Sequence, residues 1–269
     1  MGNGWLFAIR GRVPRKARVL LGLIPIAAIV VLWAWLTHGA VEERVISPTI
    51  LPSPMEVARS VPDLLTRRDL FHNTLVSLQR VGLGYLLALG VVLPLGILMG
   101  SFGSVASTFS PMATASSYIP IATLVPLTMS WFGTGELQKV MFLALAFAIS
   151  LLPLVVSAID AVPDVYLRTA YTLGASRFQV VRRVLIPVAL PDIWHAMRLS
   201  FGVGWTYLVL AEVVVMADGL GFLVEVSRRR GPREHIYLVI GVITLIAWVV
   251  DLAWGWLGQR LFPYRRSAP

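Results

Sequence analysis

The sequence predicts an all-α membrane protein with six transmembrane helices, and three observations lead there. First, 57% of the 269 residues are hydrophobic and only 14% are charged, against about 25% charged in an ordinary soluble domain. Second, six apolar stretches, at 19–37, 81–102, 111–131, 139–159, 197–217 and 236–257, reach the roughly 20 residues that a bilayer core about 30 Å thick demands of a helix. Third, the segment 163–191 between the fourth and fifth stretches carries Asp164, Arg168, Arg177, Arg182 and Arg183. Each such charge at a bilayer centre costs roughly 2.5 to 3.5 kcal/mol on insertion scales, so this segment lies in water.

The elements follow in order. Residues 1–18 form a basic tail with Arg10, Arg12, Arg15, Lys16 and Arg18, which argues for a cytoplasmic N-terminus. The run at 19–37 is predicted to be a retained anchoring helix: it is long for a signal peptide, and no clear small-x-small cleavage site follows it. Residues 38–71, with Pro48, Pro52, Pro54 and Pro62, form an outer linker that ends in a short helix. A compact block spans 72–258 and opens on FHNTLVSLQRV, where Asn73 or Thr74 is placed to cap the second span and Arg80 to snorkel at its interface.

Within that block Gly96 and Gly100 form a G-x-x-x-G on the second span, which fits either ordinary packing or a close helix approach. The third span combines Pro111, Pro120 and Pro126 with Ser116, Ser117, Thr123 and Thr128. Irregular polar helices are tolerated where they face protein or a watery cavity. Ser117 and Thr123 are therefore candidate pathway residues. Glu212 in the fifth span and Asp251 in the sixth are the intramembrane acids. Each reads as a pathway residue or as a paired structural acid. Arg198, like Arg80, reads as an interfacial anchor. Six crossings return the tail 259–269, with Arg260, Arg265 and Arg266, to the cytoplasmic side. The excess of Lys and Arg on inner segments is modest, because Arg228, Arg229, Arg230 and Arg233 fall on the outer side.

Enzyme chemistry finds no footing. There is no G-x-x-x-x-G-K-[ST] loop, no H-E-x-x-H, no Gly-x-Ser-x-Gly elbow and no cysteine, and the four histidines have no metal spacing. The net charge of +9 is scattered over membrane loops, which argues against a nucleic-acid partner. The chain outside the spans is too short for a separate soluble catalytic domain, so any energy-coupling domain belongs to another polypeptide.

In the water-exposed segment, Pro163 and Asp164 open a helix that runs to Leu173, and Gly174 permits a sharp turn. A second helix starts near Ser176 and places Phe178, Val180, Val181, Val184 and Leu185 on one arc and Gln179, Arg182 and Arg183 on the other, with Pro187 and Pro191 closing it. One face meets the membrane domain and the other is offered to a partner.

The run from Arg168-Thr169-Ala170 through Gly174, Ala175 and Ser176 to Val184-Leu185-Ile186-Pro187 resembles the EAA loop of ABC importer permeases. It departs from that pattern at Arg168 and Thr169, which stand where Glu-Ala is usual, and at Ile186, which stands for Leu. Similarity to the branch that handles nitrate, taurine, alkanesulfonates and bicarbonate extends from His72 onward, through NTLVSLQRVGLGYLLALGVVLPLGILMG (73–100), WFGTGE (131–136), LPLVVSAIDAVP (152–163), Ala211-Glu212 and GLGFLVEVSR (219–228). The resemblance implies a type I importer permease fold whose loop 160–196 holds a cytoplasmic coupling helix pair. Arg168, Thr169, Ala170, Gly174, Ala175, Ser176 and Pro187 would then be the ATPase-coupling residues. It further implies a second permease copy, two ATPase subunits that carry ATP and Mg, a substrate-binding protein outside, a bacterial inner-membrane location, and no cofactor on this chain. A secondary transporter or channel that works without an ATPase is the alternative.

Overall fold

In a computed structural model of the chain, residues 13–40, 42, 44–214 and 218–264 are described. The tail residues Arg10, Arg12, Arg265 and Arg266 lie outside them. Every regular element among the described residues is helical. The helices are α1 (Arg15–Leu36), α2 (Pro54–Arg59), α3 (Val61–Arg67), α4 (Leu70–Ser101), α5 (Gly103–Ser117), α6 (Leu124–Phe132), α7 (Glu136–Asp160), α8 (Asp164–Thr172), α9 (Arg177–Val180), α10 (Ile186–Val214), α11 (Leu220–Arg230) and α12 (Glu234–Leu261).

Among the described residues, five helices are long and apolar enough to cross a membrane, and a sixth span exists if the bent pair formed by α5 and residues 121–132 is counted as one. The third span is therefore not the continuous helix 111–131. Its halves meet at 90°, because Pro120 offers no N–H to the preceding turn and disfavours helical geometry at Ile119. Pro126 falls in the first turn of α6, where its missing N–H costs nothing.

The core is built around α7, flanked by α4 and α10. Tyr85, Phe142, Phe147, Trp205 and Leu208 fill its centre, and the Tyr85 hydroxyl donates to the Met197 carbonyl at 2.7 Å. The G-x-x-x-G of α4 serves this internal packing. A Cβ added at Gly96 would stand 2.7 Å from Val155 Cγ1, and one at Gly100 would stand 2.6 Å from Ile159 Cβ, so the α4 and α7 backbones approach only because both side chains are absent. By contrast α1 buries none of its most apolar window. It is tied to the rest through Trp33, whose indole N–H donates to the Pro52 carbonyl at 2.8 Å.

Two further boundaries differ from the sequence reading. α4 starts at Leu70, so Asn73 lies inside the helix and does not cap it; the N-cap is Asp69, at φ 47. Pro187 and Pro191 do not close a helix either, since helical structure runs unbroken from Arg177 to Val214. A π turn at Val181–Leu185, in which the Ile186 N–H reaches the Val181 carbonyl, widens the helix just before Pro187. That widening accommodates a residue that would otherwise crowd the carbonyl four positions back.

Candidate functional site

The ends of α4, α7 and α10 divide the bundle into an end that carries Gly174 and an opposite end that carries Arg80. At the Gly174 end, α8 leads into the turn Leu173–Ser176, where Gly174 sits at φ +79, a conformation that glycine adopts without the Cβ penalty. Ser176 then caps the next helix: its Oγ accepts from the Gln179 N–H and the Gln179 Oε1 accepts from the Ser176 N–H, a reciprocal capping box. Val180, Val181 and Leu185 turn inward onto Ala158, Ile159 and Val162 of the bundle, with Ala170 and Ala175 half-buried beside them.

The outward face is apolar as well as basic. Leu173 is 81% exposed and Phe178 69% exposed, and Arg177, Arg182 and Arg183 are exposed around them. Phe178 was expected on the inner arc; it lies in the first turn of the short helix and is exposed, whereas Val180, Val181 and Leu185 of the same arc are buried. Arg168 lies 3.9 Å from Asp164 one turn away with both side chains open to solvent, a contact of little energetic weight. Thr169 Oγ1 donates to the Val165 carbonyl at 2.7 Å, and Pro187 lies inside α10.

The Arg80 end holds a buried ionic hub. Arg80 is 1% exposed, so it does not snorkel. Its Nε donates to Glu136 Oε2 and its Nη2 to Glu136 Oε1, both at 2.6 Å, and Nη2 also reaches Asp218 Oδ1. Nη1 donates to Glu212 Oε1 and to the Asp218 carbonyl, both at 2.8 Å. All five guanidinium donors are thereby used. Lys139 Nζ, buried, donates to Glu136 Oε1 at 2.9 Å.

The same hub caps α11. Gly221 N–H donates to Glu212 Oε2 at 2.7 Å, Leu220 N–H to Ser77 Oγ at 2.8 Å, and Gly219 N–H to Asn73 Oδ1 at 2.6 Å. These are the orphan donors of a helix N-terminus, satisfied by side chains from α4 and by a carboxylate at the positive end of the helix. At its other end α11 packs Glu225 against Arg228 and Arg229, and their guanidinium groups hold that carboxyl down at about 2. The arginine run at 228–230 is thus partly neutralised by its own helix.

The four candidate pathway residues do not converge. Ser117 lines a 390 Å³ cavity with Ser110, Thr114, Ser157 and Asp160. Thr123 lies in the 3-10 link before α6 and bonds to the Pro120 carbonyl. Glu212 belongs to the hub. Asp251 pairs with Arg198 on α10, Nε to Oδ1 at 2.6 Å and Nη2 to Oδ2 at 2.5 Å, with both side chains partly exposed.

Comparison with known proteins gives a consistent picture. The sequence pattern of one family, described as binding-protein-dependent transport system inner membrane component, matches residues 92–263. The taurine transport system permease protein of Escherichia coli (strain K12) is 31% identical over 95% of this chain and 94% of its own length. The putative aliphatic sulfonates transport permease protein of Bacillus subtilis (strain 168) is 27% identical over 97% of this chain and 93% of its own. The nitrate import permease protein of Leptolyngbya laminosa is 24% identical, covering 78% of each. Among solved structures, the MetNI methionine ABC transporter in an inward-facing conformation gives a TM-score of 0.64 at 20% identity, covering 71% of this chain and 95% of that one. An amino acid ABC transporter crystallised with histidines gives 0.59 at 19% identity over 78% and 97%.

Proposed function

The chain belongs to the family of binding-protein-dependent transport system inner membrane components, and from that premise we propose that two copies of it form the pathway of an ATP-driven importer for a small anion of the nitrate, sulfonate, taurine or bicarbonate class. The observation that carries the reading is the capped helix-turn-helix at 163–187. It anchors Val180, Val181 and Leu185 in the bundle while presenting Leu173 and Phe178 outward. An exposed apolar knob ringed by arginines is a docking surface. With no phosphate-cradling loop of its own, the chain leaves ATP and Mg to a separate ATPase subunit docked there.

In this reading the Gly174 end and both termini face the cytoplasm of a bacterium, in keeping with Arg15, Lys16, Arg18 and Arg260, and the Arg80 end faces outward. Closure of the ATPase pair pushes on α8 and α9. Because helical structure continues from α9 through α10 to Val214, that push is delivered along one continuous helix to the hub at Glu212, and the two ends of the pathway open alternately. The anionic substrate class draws on the relatives named for taurine, sulfonates and nitrate.

Affinity purification of the tagged protein tests the ATPase reading: an ABC ATPase subunit should copurify, and transport by the chain alone would favour a secondary transporter. A thermal-shift panel of nitrate, sulfonates, taurine, bicarbonate and pyrimidines against the binding protein encoded beside this gene then tests the substrate class. Stabilisation by a pyrimidine and by none of the anions would contradict it.

A further inference from the structure

At the Gly174 end a cavity of 310 Å³ lies between the α4–α5 corner and the helix pair at 163–187. The corner lends it Ser101, Gly103 and Ser104, and α8 and α9 lend it Tyr171 and Arg177. Buried Val180, Val181 and Leu185 supply apolar lining. We propose that this cavity is an oxoanion site, taking a phosphate or sulfate group that bridges Arg177 to the start of α5 and so braces the helix pair against the bundle.

Separate observations point to an anion. Arg177 brings a full positive charge, and no Asp or Glu stands among the described residues that line the cavity, so that charge is not balanced from within it. The helix α5 begins at Gly103, runs for 15 residues and has no side-chain cap, so its first N–H groups lack intrahelical partners and its positive dipole end is open. A Cβ at Gly103 would meet nothing within 4 Å, which leaves room for a ligand to approach that backbone. Ser101 Oγ is buried with no hydrogen-bond partner among the described residues. A buried hydroxyl left without a partner costs free energy, and an anion oxygen would accept from it. Ser104 and Tyr171 add two more hydroxyl donors.

Position gives the site its consequence. Ser101 ends α4 and Gly103 starts α5, whereas Arg177 starts α9 just after the turn at Gly174. The helix pair meets the bundle through apolar contact of Val180, Val181 and Leu185 with Ala158, Ile159 and Val162, and apolar contact is not directional. Charge-assisted hydrogen bonds across the cavity are directional. An occupied site therefore holds the helix pair at one angle more firmly than an empty one. Two sources supply such a group at this end, a free oxoanion in the water and the phosphodiester of a phospholipid.

The test separates them. The whole chain is purified in dodecyl maltoside, which carries no phosphate, and hydrogen exchange of residues 163–187 is followed as sodium sulfate replaces sodium chloride at constant ionic strength. Exchange there should slow saturably with sulfate, and Arg177→Gln should raise the half-saturating concentration at least about tenfold. Ser101→Ala should also weaken sulfate binding, with a sulfate-free thermal midpoint equal to or above that of the wild type, because it deletes a hydroxyl that has no partner. Sulfate stabilises many proteins by exclusion from their surfaces, so protection that is equal in the wild type and Arg177→Gln, or spread evenly over the bundle, would overturn the proposal. In phosphatidylglycerol nanodiscs, protection that is complete without sulfate and lost in Arg177→Gln assigns the group to lipid, and protection that still requires sulfate assigns it to a free anion. The assay uses neither ATP nor a transported solute, so its failure leaves the importer reading standing, and failure of that reading leaves the site standing.

Discussion

Arg80 and Glu212 stand 132 residues apart in the sequence, yet Nη1 lies 2.8 Å from Oε1 with both side chains buried. The pair sits where α4, α7, α10 and the N-terminus of α11 meet, and no one of these elements satisfies it alone. Removing one partner of a buried pair strands the other charge, at a cost of about 3–5 kcal/mol. Glu212→Ala should therefore lower the thermal midpoint of the purified protein sharply, followed by fluorescence of its nine tryptophans. Glu212→Gln keeps an acceptor for Ser77 and Gly221 and should cost less. Equal midpoints for the wild type and Glu212→Ala would contradict the hub's structural role.

The 44–60 segment should carry its own acid sensitivity. Arg44 holds the Glu56 carboxyl at about 2, below its ordinary 4.5, with help from the Ser53 capping box. A carboxyl depressed on folding stabilises the fold above the ordinary value, and that stabilisation is lost as pH falls from about 4.5 toward 2. Hydrogen exchange of residues 44–60, corrected for intrinsic rates, should accelerate across that window. Glu56→Gln should remove the pH dependence; an unchanged profile in that variant would assign the effect to another group.

Close approach of α4 to α7 makes a steric prediction. Gly96→Val and Gly100→Leu place atoms where Val155 and Ile159 already stand, and overpacking of this kind costs about 1–3 kcal/mol. Both variants should show lower yield and a lower midpoint on size-exclusion and thermal analysis, whereas Gly90→Ala, whose Cβ meets nothing within 4 Å, should match the wild type.

The turn at Gly174 should be needed for coupling more than for folding. Its φ of +79 disfavours any side chain, but a Cβ there meets nothing within 4 Å. Gly174→Val should reach the membrane in normal amounts and lose uptake while ATP hydrolysis by the assembled complex continues. Normal uptake by that variant would remove the turn from the mechanism.

Hydropathy alone pointed to the five long apolar helices and the charge run from Asp164 to Arg183 to the helix pair between two of them, with its turn at Gly174 and its cap at Ser176. The hub was illegible because pairing Arg80 with Glu136, Glu212 and Asp218 depends on which helix ends become neighbours. One signal was available: a cation and two acids lie at matching depths of three different spans, and charges at one depth in an apolar medium pair with one another. The prolines misled in both directions. Pro120 broke a span that apolarity suggested was continuous, whereas Pro187 and Pro191 were absorbed by a helix that the π turn had already widened.

The chain has no cysteine, so a single introduced thiol reports one position without background. In the assembled complex, Phe178→Cys labelled with a maleimide-benzophenone should photo-cross-link to the ATPase subunit, while Phe71→Cys carrying the same label, 72% exposed at the opposite end, should not. A copurifying ATPase that cross-links from Phe71→Cys and never from Phe178→Cys would contradict the assignment of the 163–187 helix pair as the handle through which this permease is moved.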